Sequence, residues 1–581
     1  MRTTRLFGQT LRNSPPEAVV VSHDLLTRAG LIRQIGAGIY AYLHLAKRTI
    51  TKIENIIRQE MEAIGGQEIS MPFVSPADLW KETGRWLQIG EELGRFRDRN
   101  DHEMVMAIAQ EEIVGDLIRR EIHSYKQLPQ LVFNFHKNWC DDPHPSLGLI
   151  RLREFRIADS YSIDVDEENL DLQYQAHFQA FINIFNRCDL PVISVQADIG
   201  RIGSTNVQEF IYQSPIGENT ILTCKSCGYK ADEQIARFRK EPLPFEEPKR
   251  LEKVSTPGAH SIDSLCEFLQ IPRNKTAKAV FLVAQIPYET EIKEKFIFAV
   301  VRGDMDLNET KLLNALQARE IRPARDEEIR TVGAVPGFAS PIGLKNVLVI
   351  VDDIIPTSAN LVSGANEQDY HFLNVNYQRD YVAFHVMDIT SAKEGNGCPE
   401  CGSLLTAVRG IEVCRLGKLG TGLSDKLKCQ YLAQDGRMRP VFMGSYRIGI
   451  ERIMACIVEE HHDLKGIIWP ALVAPYQIHI ILLRGKENKN NAQDAENLYS
   501  DLIKSGLEVL FDDGYDSPGV KFNNADLIGC PIRITISDLA SEAGGVELKL
   551  RHLEDRTIIS TEYVVEYVKE ILNSKKVENL N

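Results

Sequence analysis

Residues 131 to 163 constrain this chain more than any other stretch. Two runs with two-residue alternation flank a loop rich in Pro, Asp and His, which predicts an antiparallel hairpin with a long connection. In the first run Phe133, Phe135 and Trp139 alternate with Asn134, His136 and Asn138, so one face is expected inside and the other polar. The second run sets Ile150 and Leu152 on one face and Arg151 and Arg153 on the other. A sheet floor carrying two arginines and several side-chain amides suits a polyanion or a nucleotide. An ordinary half-exposed hairpin satisfies the same alternation, so the hairpin alone does not choose between them.

Composition narrows the class. A chain of 581 residues, 43% hydrophobic and 25% charged, has room for three or four domains of an ordinary globular protein. No apolar run approaches the roughly 20 residues of a membrane span, and MRTTRLFGQT has no apolar signal core, so the expectation is a cytoplasmic protein without membrane contact. The net charge of −14 excludes a broad basic field and leaves nucleic acid to local patches. Eleven cysteines in a reducing compartment are read for metal or burial rather than for disulfides. Four of them form two Cys-x-x-Cys-Gly knuckles, Cys224/Cys227 and Cys398/Cys401, whose thiolates could converge on one structural zinc. The same knuckles could also hold turns without metal.

Along the chain, Ile53, Ile56, Ile57, Met61 and Ile64 recur at helical spacing, and Gly65-Gly66 supplies a stop. The strand QEISMPFVSP follows, with Pro72 favouring an edge. Between the knuckles, strands such as KAVFLVA and NVLVIVDD alternate with helical stretches and predict a separate domain. After Pro475, strand and helix alternate as in a mostly parallel α/β unit.

The run RLREF with Asp159-Ser160-Tyr161-Ser162, the segment PADLWKETGRW, the arginine-terminated block Met443 to Arg452 and the block around Pro518 to Gly529 together resemble bacterial prolyl-tRNA synthetases nearly end to end. The resemblance implies an α/β multidomain protein: a class II antiparallel-sheet catalytic core (1–235 and 391–472), an α/β editing insertion (236–390) and a C-terminal α/β anticodon-binding domain (473–581). It implies ATP-dependent ligation of proline to tRNA(Pro) through prolyl-adenylate, ATP with magnesium, hydrolysis of mischarged alanyl-tRNA, and a homodimer formed through the helix-strand-proline unit.

Carried over by motif, Glu111, Arg151, Arg153, Glu154 and Arg452 are the catalytic candidates, and Arg151, Glu154, Arg447, Gly449 and Arg452 the ATP ligands. Ala109, Glu111, Gly203 and Glu209 are expected to line the substrate pocket. Lys278, Gly337 to Pro341 and His371 are expected to serve editing. Glu111 read alone is equally a first-turn glutamate favoured by the helix dipole.

The departures fall at contact positions. The family's motif-two arginine, which grips the α-phosphate and the substrate carboxylate, is Cys140 here, in the run Trp139-Cys140-Asp141-Asp142. Its substrate-holding threonine is Ala109, and Arg447 replaces the first glycine of Gly-x-Gly-x-x-Arg. The Gly-His-x-Phe stretch carries Cys414 and Arg415. Activation is therefore expected to be impaired, with a working ligase and a non-ligating tRNA-binding, editing or regulatory paralogue as the two readings.

Overall fold

The computed structural model describes residues 1–198, 206–288, 291–484 and 491–578. The core is a sheet of nine strands: β1 (Gln67–Glu68), β2 (Gln130–Trp139), β3 (Glu154–Asp164), β4 (Ile193–Gln196), β5 (Asn206–Gln213), β6 (Asn219–Thr223), β7 (Lys230–Asp232), β8 (Thr406–Gly420) and β9 (Phe442–Gly449), in the order β5-β4-β7-β6-β8-β9-β3-β2-β1. The β2/β3, β3/β9, β9/β8 and β8/β5 pairs are antiparallel. One face is buried under α1 (His44–Ala63), α3 (Glu167–Arg187) and α4 (Ile450–Glu460), with Ile53, Ile57, Phe181, Phe210, Tyr446 and Met454 in a single cluster. Alternation along β5, β8 and β9 leaves the opposite face polar, and that face carries the site.

The predicted helix over 51–64 begins earlier, at His44, and ends where Gly65 takes φ +89°, a conformation open to glycine without steric cost. The strand expected over 67–76 is interrupted: only Gln67–Glu68 and Val74–Pro76 are extended pairs, on either side of Pro72.

The hairpin forms with two corrections. Its second strand begins at Glu154, so Arg151 and Arg153 belong to the connecting loop while Ile150 and Leu152 enter the core. The polar face of β2 is buried rather than half-exposed. Asn134 donates to Gln110 Oε1 (2.7 Å) and Asn138 to the Ile108 carbonyl (2.9 Å), pinning the segment that leads into α2 (Glu111–Glu121).

The insertion contains a mixed five-stranded sheet ordered 320–323, 277–288, 291–302, 348–352, 385–387, and a three-stranded sheet of 252–255, 370–375 and 361–364. Lys240, where the chain enters, binds Asp352 (2.7 Å), Asp353 (2.5 Å) and Asp388 (2.8 Å), the last where the chain leaves. These carboxylates have the spacing of a metal site, but Lys240 and Lys311 neutralise them from within. The C-terminal sheet runs 509–512, 478–482, 532–536, 546–550, 556–559. Its first three strands are parallel and its last two antiparallel, so it is more mixed than the sequence suggested. The N-terminus ties this unit to the core: Arg2 pairs with Glu496 (2.6 Å) and Asp513 (3.3 Å), and Met1 accepts from the Phe511 N–H (2.8 Å).

Candidate functional site

On the polar face of the sheet lies a cavity of about 640 Å3, bounded by the loop after β2, by β8 and by the β9–α4 junction. Behind Arg447, which lines this cavity, stands Glu111, fully buried at the first turn of α2. Ser445 Oγ donates to its Oε1 (3.1 Å), Arg447 lies 3.7 Å from the same oxygen, and Arg85 reaches Oε2 (3.4 Å). Burial disfavours the charge, but Arg85 and Arg447 outweigh it and hold the Glu111 carboxyl below its ordinary value. The neighbouring Glu112 takes the shorter Arg85 contacts (2.8 and 2.9 Å) and a hydroxyl from Thr83 (3.0 Å). Burial dominates there and raises its pKa.

Arg447 turns sideways across the sheet. It pairs with Asp159 (2.9 Å), its register partner on β3, and burial is overcome by Asp159 and Glu111 so that its charge is strengthened. His136 Nε2 lies 3.5 Å from the same Asp159, and burial depresses the imidazole pKa. Several buried polar atoms on this face lack a hydrogen-bond partner: Asn134 Oδ1, Asn138 Oδ1 and Arg85 Nε. Such groups are rare in packed interiors and common where a ligand docks. Ala109 is buried beside them.

The loop arginines are internally committed. Arg151 grips Asp142 with two nitrogens and reaches Glu218 (3.1 Å), and Arg153 donates to the Asp142 carbonyl (2.8 Å). Glu154 pairs with Lys137 (2.5 Å). Cys140 lines the cavity wall, its thiol pushed by burial to about 11 and hence neutral. Arg452 spans the other wall, donating to the carbonyls of Ile150 (3.0 Å) and Glu412 (2.7 Å), with Gly449 capping its helix. Glu209 holds Arg415 (3.4 Å), and burial followed by Glu412 drives its carboxyl pKa well up. Glu412 and Asp232 line the cavity, and carboxylate oxygen is the ligand type that suits a magnesium ion carried by a nucleotide. Gly203 lies outside the described residues.

Arg151, Arg447, Gly449 and Arg452 thus line one cavity, whereas Glu111, Arg153 and Glu154 are not among its lining residues. Arg85 and Asp159 were missed as site residues, because nothing in local spacing links Arg85 to a glutamate 26 positions on, or Asp159 to Arg447 across 288.

In the insertion, His371 is buried, its Nδ1 2.6 Å from Thr256 Oγ1 and its ring 5.5 Å from Phe338, which also meets His260 at 5.2 Å. Gly337, at φ +82°, and buried Pro341 bracket that phenylalanine. Lys278 is elsewhere engaged, with Asp306 (2.9 Å), which also binds Lys393 (2.6 Å). No hydrogen bond joins it to His371 among the described residues. The four knuckle sulfurs lie within 4.8 Å of one another, with Cys224–Cys401 and Cys227–Cys398 both at 3.5 Å. Tetrahedral zinc with 2.3 Å bonds needs sulfurs about 3.8 Å apart, so the set fits.

Comparison with known proteins places these observations. Residues 256–380 match the aminoacyl-tRNA editing domain and residues 477–571 the anticodon binding domain. The chain is 47% identical over 553 residues to a proline–tRNA ligase of Salinispora tropica, covering 95% of this chain and 93% of that one. It is 43% identical over 568 residues to the proline–tRNA ligase of Dehalococcoides mccartyi, covering 98% of each. A crystal structure of prolyl-tRNA synthetase from Cryptosporidium parvum complexed with L-proline and AMP superposes with a TM-score of 0.57 at 11% identity, covering 96% of this chain and 76% of that one, a likeness of fold. Among the described residues no helix is long and apolar enough to cross a membrane. The chain belongs to the bacterial-type prolyl-tRNA synthetase family, with an editing domain inserted in a class II core and an anticodon-binding domain at its C-terminus.

Proposed function

We propose that this family member has lost efficient proline activation and acts on tRNA(Pro) mainly through its insertion, as a hydrolase of mischarged alanyl-tRNA. The observation that carries this is the saturation of Glu111. Its two oxygens already face Ser445, Arg85 and Arg447, so a proline imino group would have to displace a resident guanidinium. Three further features point the same way: Cys140 is a neutral thiol where the resemblance expects a phosphate-gripping arginine, Ala109 offers no hydroxyl, and Arg151 is neutralised by Asp142. One preorganised donor aimed at developing charge contributes about 10²–10³ in rate, and cysteine cannot replace a bidentate arginine.

Within the residual synthetic site, Arg452 would hold the nucleotide, Glu412 and Asp232 would hold its magnesium, and the metal would supply charge neutralisation on the phosphates. Editing needs none of this. Water adds to the ester carbonyl joining alanine to the terminal ribose, the ribose oxygen leaves with a proton, and alanine and free tRNA result. His371, fixed by Thr256 and packed on Phe338, orients the small aminoacyl group, and Lys278 at the domain surface meets tRNA phosphate. A zinc ion on the four knuckle cysteines would fasten the insertion to the core. The protein works in the cytoplasm as a homodimer, with the short outer strand β1 and helix α1 at the interface.

The test is proline-dependent ATP–pyrophosphate exchange beside the Salinispora tropica ligase. Exchange lower by about 10³ or more is expected, from two or more missing donors. Comparable exchange would overturn the proposal.

A further inference from the structure

The two cysteine knuckles form a ribbon between the cavity and the insertion. The first joins β6 to β7, with the Cys224 N–H donating to the Tyr229 carbonyl (2.8 Å), and the second precedes β8, with the Cys398 N–H donating to the Ser403 carbonyl (2.7 Å). Arg239 ties the chain leaving β7 to the second knuckle: its N–H donates to the Gly397 carbonyl (2.8 Å), and its guanidinium lies against Gly402. On this ribbon Lys225, Arg237, Arg239 and Lys393 are exposed and Lys230 is half-buried. Among the described residues no carboxylate pairs with Lys225, Lys230, Arg237 or Arg239. The exposed acids of the same segments are Glu241, Glu394 and Glu400, while Asp232 and Glu233 face the cavity. In a chain of net charge −14 this is a local concentration of unpaired positive charge.

The ribbon is continuous with both sites. Asp232, Glu233 and Gln234 line the cavity, Arg237 and Arg239 follow in the chain, and the insertion begins. On the return, Lys393 binds Asp306 (2.6 Å), which also holds Lys278 (2.9 Å), so the last cation of the ribbon is joined through one carboxylate to the lysine ascribed to editing. We propose that this ribbon is an RNA-binding surface, on which Lys225, Arg237, Arg239 and Lys393 form a cationic track for the phosphates of the unpaired 3′ end of tRNA as it enters the insertion. Ammonium and guanidinium groups aimed at successive phosphates give affinity and register without base preference, as an end that must move along them requires. The inference rests on the reading that the insertion acts on tRNA, and it names the surface that delivers the aminoacylated end.

The experiment is binding of tRNA(Pro) to the full-length protein by fluorescence anisotropy over a salt series, with intact tRNA and with tRNA trimmed of its unpaired 3′ nucleotides. Lys225→Gln combined with Arg237→Gln removes two exposed cations that pair with no carboxylate, so the melting temperature should stay within a few degrees of the wild type. The loss of two phosphate contacts should weaken intact tRNA about tenfold and flatten the slope of log K against log salt by about 1.4, at about 0.7 per single-strand contact. Trimmed tRNA should bind the wild type and the variant equally. Adding Lys393→Gln should weaken intact tRNA further and raise KM for alanyl-tRNA deacylation while leaving kcat unchanged. Unchanged affinity and slope in the folded double variant would overturn the proposal, and so would an equal loss on trimmed tRNA, which would assign these side chains to the body of the tRNA. A wild type that deacylates nothing, with the loss still confined to intact tRNA, would sink the editing reading alone. Active deacylation with KM and affinity untouched by the substitutions would sink this inference alone.

Discussion

Replacing Lys240 by methionine removes one charge from the joint between insertion and core while keeping the side chain's bulk. In the wild type the ammonium is 9% exposed and contacts three carboxylates at 2.5–2.8 Å, one of them, Asp352, fully buried. Removing one partner of a buried ion pair costs about 3–5 kcal/mol. Asp352 keeps hydrogen bonds from the N–H groups of Ile354 (3.2 Å) and Ile389 (3.1 Å), and Asp388 keeps Lys311 (2.8 Å), so the lower end, about 3 kcal/mol, applies. For a unit of 150–250 residues that corresponds to a loss of about 6–12 °C in melting temperature. Burial already raises the Asp352 pKa, and the variant raises it further. An acid whose folded pKa exceeds its unfolded one costs stability as pH rises, so the deficit should be larger at pH 8 than at pH 5. Differential scanning calorimetry at both pH values, with limited proteolysis of residues 236–250, reads the effect. A transition moved by less than 2 °C with an unchanged digestion pattern would refute the view that this lysine fastens the joint.

Two further outcomes are expected. Purified protein should carry about one zinc per chain by elemental analysis, and Cys224→Ser should release it and loosen the same joint; metal-free protein of full stability would demote the knuckles to turns. His371→Ala should slow alanyl-tRNA deacylation tenfold or more without loss of tRNA binding. Because burial holds the His371 pKa at about 4, the wild-type rate should show no inflection near pH 6.5, and the stability this neutral histidine contributes should be complete above pH 6.5 and lost as pH falls toward 4. An inflection near 6.5 would show the imidazole to be exposed.

Much of the fold was legible because local patterning and tertiary burial agree. The α1 periodicity, the glycine stop at Gly65 and the two-residue alternation of β2 each reflect a face that the core covers. Legibility failed where polar groups are buried by neighbours distant in sequence. Asn134 and Asn138 look solvent-facing by alternation, yet they are buried, with their side-chain N–H groups donated to Gln110 and Ile108. Arg151 and Arg153 alternate like strand residues, but the chain ahead of Glu154 is held as a loop by Asp142.

The sequence by itself determined the family, the order of domains, the convergent knuckles and the contact positions where Cys140, Ala109 and Arg447 depart from the expected chemistry. Residue type at a motif position is a local property, readable without coordinates. Only the tertiary structure decided what surrounds those positions. Strand register set Arg447 between Asp159 and Arg415, and chain packing brought Arg85 to Glu111. Charges interact through space with a strength fixed by distance and burial, and neither quantity is written in the spacing of residues along the chain.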